Sequence, residues 1–272
     1  MKTKTILAIL FFICFVFAIW SYSKSFTDAP ENLTQKEMEK FLKTARIIPD
    51  QKGVGGRTES WTVTLYDGKT KMRGFAKFTD RHRPHTLPDS YKYGIATYEL
   101  NKLLDLDLVP PMVEREIEGR KASLMPLLVG VINELSRRRK NIKPPDLESF
   151  QNTMDELKVF ENLIYSSALC EEGGDDLNDL LIAYQKDWKV WRVDLSQAFA
   201  PIPELIQYCE FTRCSKKLFR NLLKLDDKVV KAKLKNHLND EEMSALLERK
   251  KLILEKIKQL IKEKGEESVL FS

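Results

Sequence analysis

The chain has 272 residues, 43% of them hydrophobic, enough to bury one large core or two joined lobes; this excludes a disordered protein. Its 45 basic and 40 acidic side chains leave a formal charge of only +5, so nucleic acid is not expected as a partner and a mixed, solvated surface is.

The N-terminus carries the first strong pattern. Lys2 and Lys4 precede the uncharged run Ile6 to Trp20, the basic-then-apolar order of an export signal. A full span needs about 17–25 residues, which Ser21 and Tyr22 supply at the interface. No small-x-small cleavage site follows, and Trp20 and Tyr22 suit interfacial anchors. The expectation is a hydrophobic helix that anchors the chain through residues 6–22, within a signal segment 1–27. Cleavage of the signal, or burial of the helix, are the alternatives. The two lysines would stay in the cytosol and leave the body extracytoplasmic, or secreted if the signal is cut.

Residues 28–52 read as a linker with one short helix, Gln35 to Ala45. Thr34 caps it with Glu37 three residues on, and Met38, Phe41 and Leu42 form its apolar stripe. Strand signals follow. Ser60 to Tyr66 alternates, Asp67-Gly68 is a hairpin turn, and Met72 to Phe78 returns. A helix from Tyr91 to Leu104, capped near Asp89-Ser90, ends before Val109-Pro110-Pro111. A second hairpin turns at Glu118-Gly119, and Arg137 to Lys140 reads as a solvated basic loop. Phe150, Met154, Leu157, Phe160, Leu163 and Ile164 mark a core-facing helix. Leu180 to Tyr184 and Trp188 to Val193 pair as a hairpin, and a long helix capped by Asn239 and Glu242 runs to Gly265.

Asp194 ends the aromatic strand Trp188 to Val193, close after the acidic stretch Asp175 to Asp179. A carboxylate at the mouth of a buried strand, beside a second oxygen ligand such as Asn178 or Asp179, is what Mg²⁺ on a nucleotide phosphate requires. Gly53-Val54-Gly55-Gly56 opens the first hairpin, where bare backbone lets N–H groups approach phosphate. Lys77, near the end of the return strand, either snorkels from an edge or projects into a cleft as a phosphate-binding charge. His82, His85 and His237 are scattered, and no Cys/His set has zinc spacing. Cys209 and Cys214 pair in an oxidising compartment or stay as buried thiols, with Cys170 left over.

Lys77 on a strand, then a helix, then Val109-Pro110-Pro111-Met112-Val113-Glu114-Arg115, a hydrophobic helix and Val193-Asp194-Leu195-Ser196-Gln197-Ala198-Phe199 resemble an atypical kinase fold. The pattern is similar to that of bacterial relatives of the secretory-pathway kinases of the Golgi casein kinase and four-jointed group, and more distantly to HipA-like and lipid kinases. It implies an α+β, two-lobed protein: a strand-rich N-lobe with one inserted helix over residues 53–128, and a mostly helical C-lobe over 129–272. It further implies ATP with Mg²⁺ or Mn²⁺ as cofactors. Lys77 would hold phosphates with Gly53, Gly55 and Gly56, while Asp194 with Asn178 or Asp179 would hold metal. Met125, in the hinge Leu124 to Leu127, would read the adenine.

Two departures from the resemblance bear on activity. Relatives start the inserted helix with a glutamate that pairs with the lysine; this chain has Gly94 there. Glu99, five residues on, faces about 140° away. Relatives carry a catalytic aspartate after the hydrophobic helix, where this chain has Ala168; Asp175 or Asp176, in the acidic loop that follows, are the candidates to replace it. Loss of a general base removes about 10²–10⁴-fold of rate. The expected function is a membrane-anchored, degenerate kinase-like protein that binds nucleotide and metal. An active atypical kinase acting on a protein, sugar or lipid hydroxyl and a non-enzymatic extracytoplasmic scaffold are the alternatives.

Overall fold

The computed structural model describes residues 33–52, 59–82, 87–166, 175–206 and 210–272. The signal segment 1–27, the glycines at 53, 55 and 56, and Ala168, Cys170 and Cys209 lie outside them, as do the side chains of Asp175 and Asp176. Among the described residues, no helix is long and apolar enough to cross a membrane.

The N-terminal half is an antiparallel sheet of five strands, β1 (Arg46–Lys52), β2 (Ser60–Tyr66), β3 (Lys71–Lys77), β6 (Val113–Ile117) and β7 (Arg120–Pro126), in the order β1-β2-β3-β7-β6. Strict alternation decides its faces. Trp61, Val63 and Leu65 of β2 sit opposite Ala76, Gly74 and Met72 of β3, and form one core with Leu124. Gly74 lets this core close up, because a Cβ there would come within 2.9 Å of the Leu124 side chain and make it shift. Helix α1 (Gln35–Thr44) closes this core with Met38, Phe41 and Leu42, behind a capping box in which Thr34 and Glu37 satisfy each other's backbone N–H.

Residues 28–32 lie outside the described residues. The short helix expected at Gln35 to Ala45 is found at Gln35–Thr44, packed on the sheet, while Arg46–Lys52, expected as linker, is an edge strand paired to β2. Its register slips between Pro49 and Gln51, a bulge at the kind of edge position where proline is tolerated.

Two short strands, β4 (Asp80–Arg81) and β5 (Asp89–Ser90), lead into helix α2 (Tyr91–Leu103), capped by the Ser90 side chain. This helix is buried on nearly every side, with Tyr93, Ala96, Tyr98 and Leu100 inside the larger, C-terminal core. It thus lies between the sheet and the helical half. The turn at Glu118-Gly119 has φ of 50° and 76°, the left-handed pair that a two-residue hairpin needs.

Beyond strand β8 (Ile132–Asn133), the basic run expected as a loop is instead the short helix α3 (Glu134–Arg139). Buried Glu134 accepts from Arg137 at 2.6 and 2.8 Å and from Arg138 at 2.6 Å, so the run is tied down by its own carboxylate. Helix α4 (Leu147–Ile164) buries Phe150, Leu157, Phe160 and Leu163. Strands β9 (Leu180–Ile182) and β10 (Val190–Arg192) form the expected hairpin and join β8 in a second sheet. The remainder is helical: α5 (Lys216–Lys224) follows the strand β11 (Cys214–Ser215), then come α6 (Asp227–Leu234) and α7 (Asp240–Lys264). A capping box of Asn239 and Glu242 starts α7, and Gly265 at φ 82° ends it. The short helix α8 (Glu266–Val269) leads to β12 (Leu270–Phe271), which pairs with β11. Cys214 is a free, buried thiol, pushed up to about 12 by burial.

Candidate functional site

The alternation that buries Met72, Gly74 and Ala76 of β3 turns Arg73, Phe75 and Lys77 to the opposite face. Cross-strand pairing puts Ser60 and Ser123 beside Lys77, and Thr62 and Met125 beside Phe75. This second face meets the segment after β10, where Lys77 reaches Asp194 and Ser196. Met125 is partly buried and packs on the C-terminal core, so β7 bridges the two halves at that point.

That segment starts at the end of β10. Asp194 takes φ 52°, in the left-handed region that Asp adopts more readily than most residues. It is held on both sides: the Val193 N–H donates to the Asp179 carbonyl at 2.9 Å, and the Ser90 N–H donates to the Ser196 carbonyl at 2.7 Å. The second contact ties the segment to the head of α2.

Sheet face and segment meet at Lys77. The Lys77 ammonium donates to the Asp194 carboxylate and, at 2.7 Å, to the Ser196 hydroxyl. The lysine side chain is 12% exposed and that of Asp194 52%, so the pair has its carboxylate side open to solvent. Burial raises the Asp194 carboxyl, but Lys77, Arg192 and the Ser196 hydroxyl together outweigh it, and the group is held below the ordinary carboxylate range.

Behind Asp194 lies a group that the sequence reading did not single out. Arg192 is 2% exposed, with Nε 2.9 Å from Glu161 of α4 and Nη1 3.3 Å from Asp179. Its guanidinium stands 5.1 Å from the Tyr165 ring and donates to the Val193 carbonyl at 3.0 Å. The signal was present in the alternation of β10: Val190 and Arg192 share the buried face. An arginine at an inward position must have carboxylates waiting.

Asn178 and Asp179 sit where the sequence reading put them, at the start of the hairpin, but both are engaged. Asn178 accepts from Asn133 at 3.3 Å, and Asp179 faces Arg192. Asp175 to Asn178 form a turn of 3₁₀ helix. Among the described residues, no group of three or more His, Cys, Asp or Glu could hold a metal ion. Mg²⁺ bound with a nucleotide needs only one or two carboxylates and takes its other oxygens from phosphate and water, so an ionised, half-exposed Asp194 is compatible with it. Glu99 is paired with Lys102 at 3.1 Å and Lys233 at 2.9 Å. At Gly94 a Cβ would lie 2.5 Å from the Met112 sulfur, so Met112 fills the place where a side chain would begin.

No family model and no curated protein matches the sequence. Solved structures do. A hydra Fam20 structure with sugar superposes at TM-score 0.63 over 89% of this chain and 93% of that one, at 14% identity. The Helicobacter pylori proinflammatory kinase CtkA superposes at 0.53, also at 14% identity, over 82% of this chain and 98% of that one. The fold is kinase-like. Shewanella oneidensis HipA, in its complex with HipB and operator DNA, reaches only 0.39 at 13% identity, too loose a match to speak for the fold. The α+β, kinase-like architecture expected from Lys77, the Pro110-Pro111 segment and the Asp194 hairpin is the one found.

Proposed function

We propose that this protein is a kinase-like nucleotide-binding protein with degenerate phosphotransfer, anchored to a membrane through residues 6–22. The observation that carries the reading is the closure of Lys77 of the sheet onto Asp194 and Ser196 of the segment after β10, across 117 and 119 residues of chain. An ammonium on a carboxylate open to solvent on one side is a pair that triphosphate and a divalent cation can part: the lysine goes to phosphate and the carboxylate to metal. The metal, when bound, supplies charge neutralisation for the phosphates. Ser60, Thr62, Phe75 and Met125 then offer the sheet face to the nucleotide.

Degeneracy rests on Gly94 and Ala168. In protein kinases a lysine–glutamate ion pair must be in place for transfer, and here Gly94 packs under Met112 instead. Lys77 takes Asp194 in its stead, so its position depends on the residue that the metal would use.

Thermal melting with ATP and Mg²⁺ tests the reading. At a ligand concentration of about 100 Kd the stabilisation is about 2.7 kcal/mol, or roughly 5–10 °C for a chain of this size. Lys77→Met and Asp194→Asn should each remove it. A rise of the same size in either variant puts the nucleotide elsewhere, and rapid transfer of phosphate to an acceptor removes the degenerate half of the reading.

A further inference from the structure

Once a ligand draws Asp194 away, Lys77 needs another group to hold it, and the inserted helix α2 has none to offer. Gly94 has no side chain and packs under Met112, while Glu99 is committed to Lys102 and Lys233. Among the described residues, the other partner of the Lys77 ammonium is the Ser196 hydroxyl, which accepts from it at 2.7 Å.

Ser196 is fixed from several directions. It is 4% exposed, and it lies in a turn closed by the Ala198 N–H on the Leu195 carbonyl at 3.2 Å. The following N–H, that of Phe199, donates at 2.7 Å to the Ile164 carbonyl at the end of α4. The Ser196 carbonyl accepts from the Ser90 N–H, also at 2.7 Å. Ser90 is itself fully buried and held: its hydroxyl donates to Asp80 at 2.8 Å and accepts from the Lys92 N–H at 3.2 Å, and Asp80 is paired with Lys92 at 2.8 Å. The head of α2 therefore sets where the Ser196 main chain stands.

The hydroxyl contact differs in kind from the ion pair. A hydroxyl has one donor and two acceptor lone pairs, and an ammonium has three donors. Ser196 accepts from Lys77 with a lone pair and turns its own proton to the Asp194 carboxylate across a long 3.4 Å. A cation on Asp194 would take the carboxylate and leave that lone pair where it is. Because the hydroxyl is neutral, the anchored ammonium keeps its charge for phosphate, with its other donors free.

We propose that Ser196 is the positioning residue of Lys77: its hydroxyl, placed by the head of α2 through the Ser90 N–H, holds the ammonium in line for phosphate after Asp194 has turned to metal. It does from the turn after β10 what protein kinases do with a glutamate paired to the lysine. The inference deepens the nucleotide reading of this site and rests on it for its purpose, while the contact itself is tested with no nucleotide present.

The full-length chain is treated with acetic anhydride, and the acetylation rate at Lys77 is read by mass spectrometry against Lys102 and Lys250, whose side chains are 24% and 13% exposed and are paired elsewhere. Ser196→Ala should raise the Lys77 rate alone. The rise should be larger in an Asp194→Asn background, which removes the ion pair, and reach roughly tenfold there, the scale of one hydrogen bond to a charged group. An unchanged Lys77 rate, a rise shared equally by Lys102 and Lys250, or an effect no larger without the ion pair than with it would overturn the inference. In calorimetric titration with ATP and Mg²⁺, Ser196→Ala should weaken binding about tenfold, and parental affinity in that variant would overturn it too. A parent that binds no ATP, with a Lys77 rate that still answers to Ser196→Ala, would strike the nucleotide reading and leave the anchoring of Lys77 by Ser196 in place.

Discussion

Gly94 offers a prediction whose sign depends on a single neighbour. A Cβ at this position lies 2.5 Å from the Met112 sulfur and 3.3 Å from its methyl group. Carbon contacts are comfortable at about 3.5–4.0 Å, so the methionine must retreat by about 1 Å. Met112 is only 7% exposed and has little free space to take up. Overpacking of this kind costs about 1–3 kcal/mol, while alanine in a helix gains about 0.5–1 kcal/mol over glycine. Gly94→Ala should therefore destabilise by about 1–2 kcal/mol. Met112→Ala alone costs about 2–5 kcal/mol through the cavity it leaves, and in that background the new methyl meets open space. There Gly94→Ala should stabilise by about 0.5–1 kcal/mol or slightly more. Urea unfolding of the four proteins in the double-mutant cycle reads both steps. The same sign for Gly94→Ala in both backgrounds would refute the claim that Met112 fills the head of α2.

Arg192→Met should cost about 3–5 kcal/mol in the same urea assay, because it leaves Glu161 and Asp179 facing each other without their shared cation; a loss under about 1 kcal/mol would mean the carboxylates are adequately solvated. Arg192→Lys should rescue little, since an ammonium cannot span two carboxylates as a guanidinium fork does. The carboxyl of Asp194 titrates below its ordinary value in the folded protein, so the stability it contributes is complete above the unfolded value of about 4 and is lost as pH falls through the folded one. The difference in melting temperature between the parent and Asp194→Asn should shrink accordingly on acidification below about pH 4, and a difference that stays constant would deny the ion pair.

Local rules wrote most of the fold into the sequence in legible form. The two capping boxes, Thr34 with Glu37 and Asn239 with Glu242, start helices where the spacing says they should. Asp67-Gly68 and Glu118-Gly119 turn their hairpins as expected. What was not legible needed a partner far away in the chain. Arg46–Lys52 has a proline and no clean alternation, and becomes a strand because β2 offers it an edge. Arg137 and Arg138 look like a solvated run until Glu134 is seen buried beneath them. At the site, the sequence singled out Lys77 and Asp194 one by one, but the lysine could as well have snorkelled from an edge strand. Only the packing of the sheet face on the segment after β10 brings the two together, and only the inward face of β10 reveals Arg192 behind them.

The central claim is that Lys77 and Asp194 form a nucleotide site, and calorimetric titration of ATP into the protein, with and without Mg²⁺, tests it most directly. Saturable binding at one site, strengthened by Mg²⁺ in the parent and lost in both Lys77→Met and Asp194→Asn, is the predicted result. No binding by the parent, or binding that both variants retain, would contradict it.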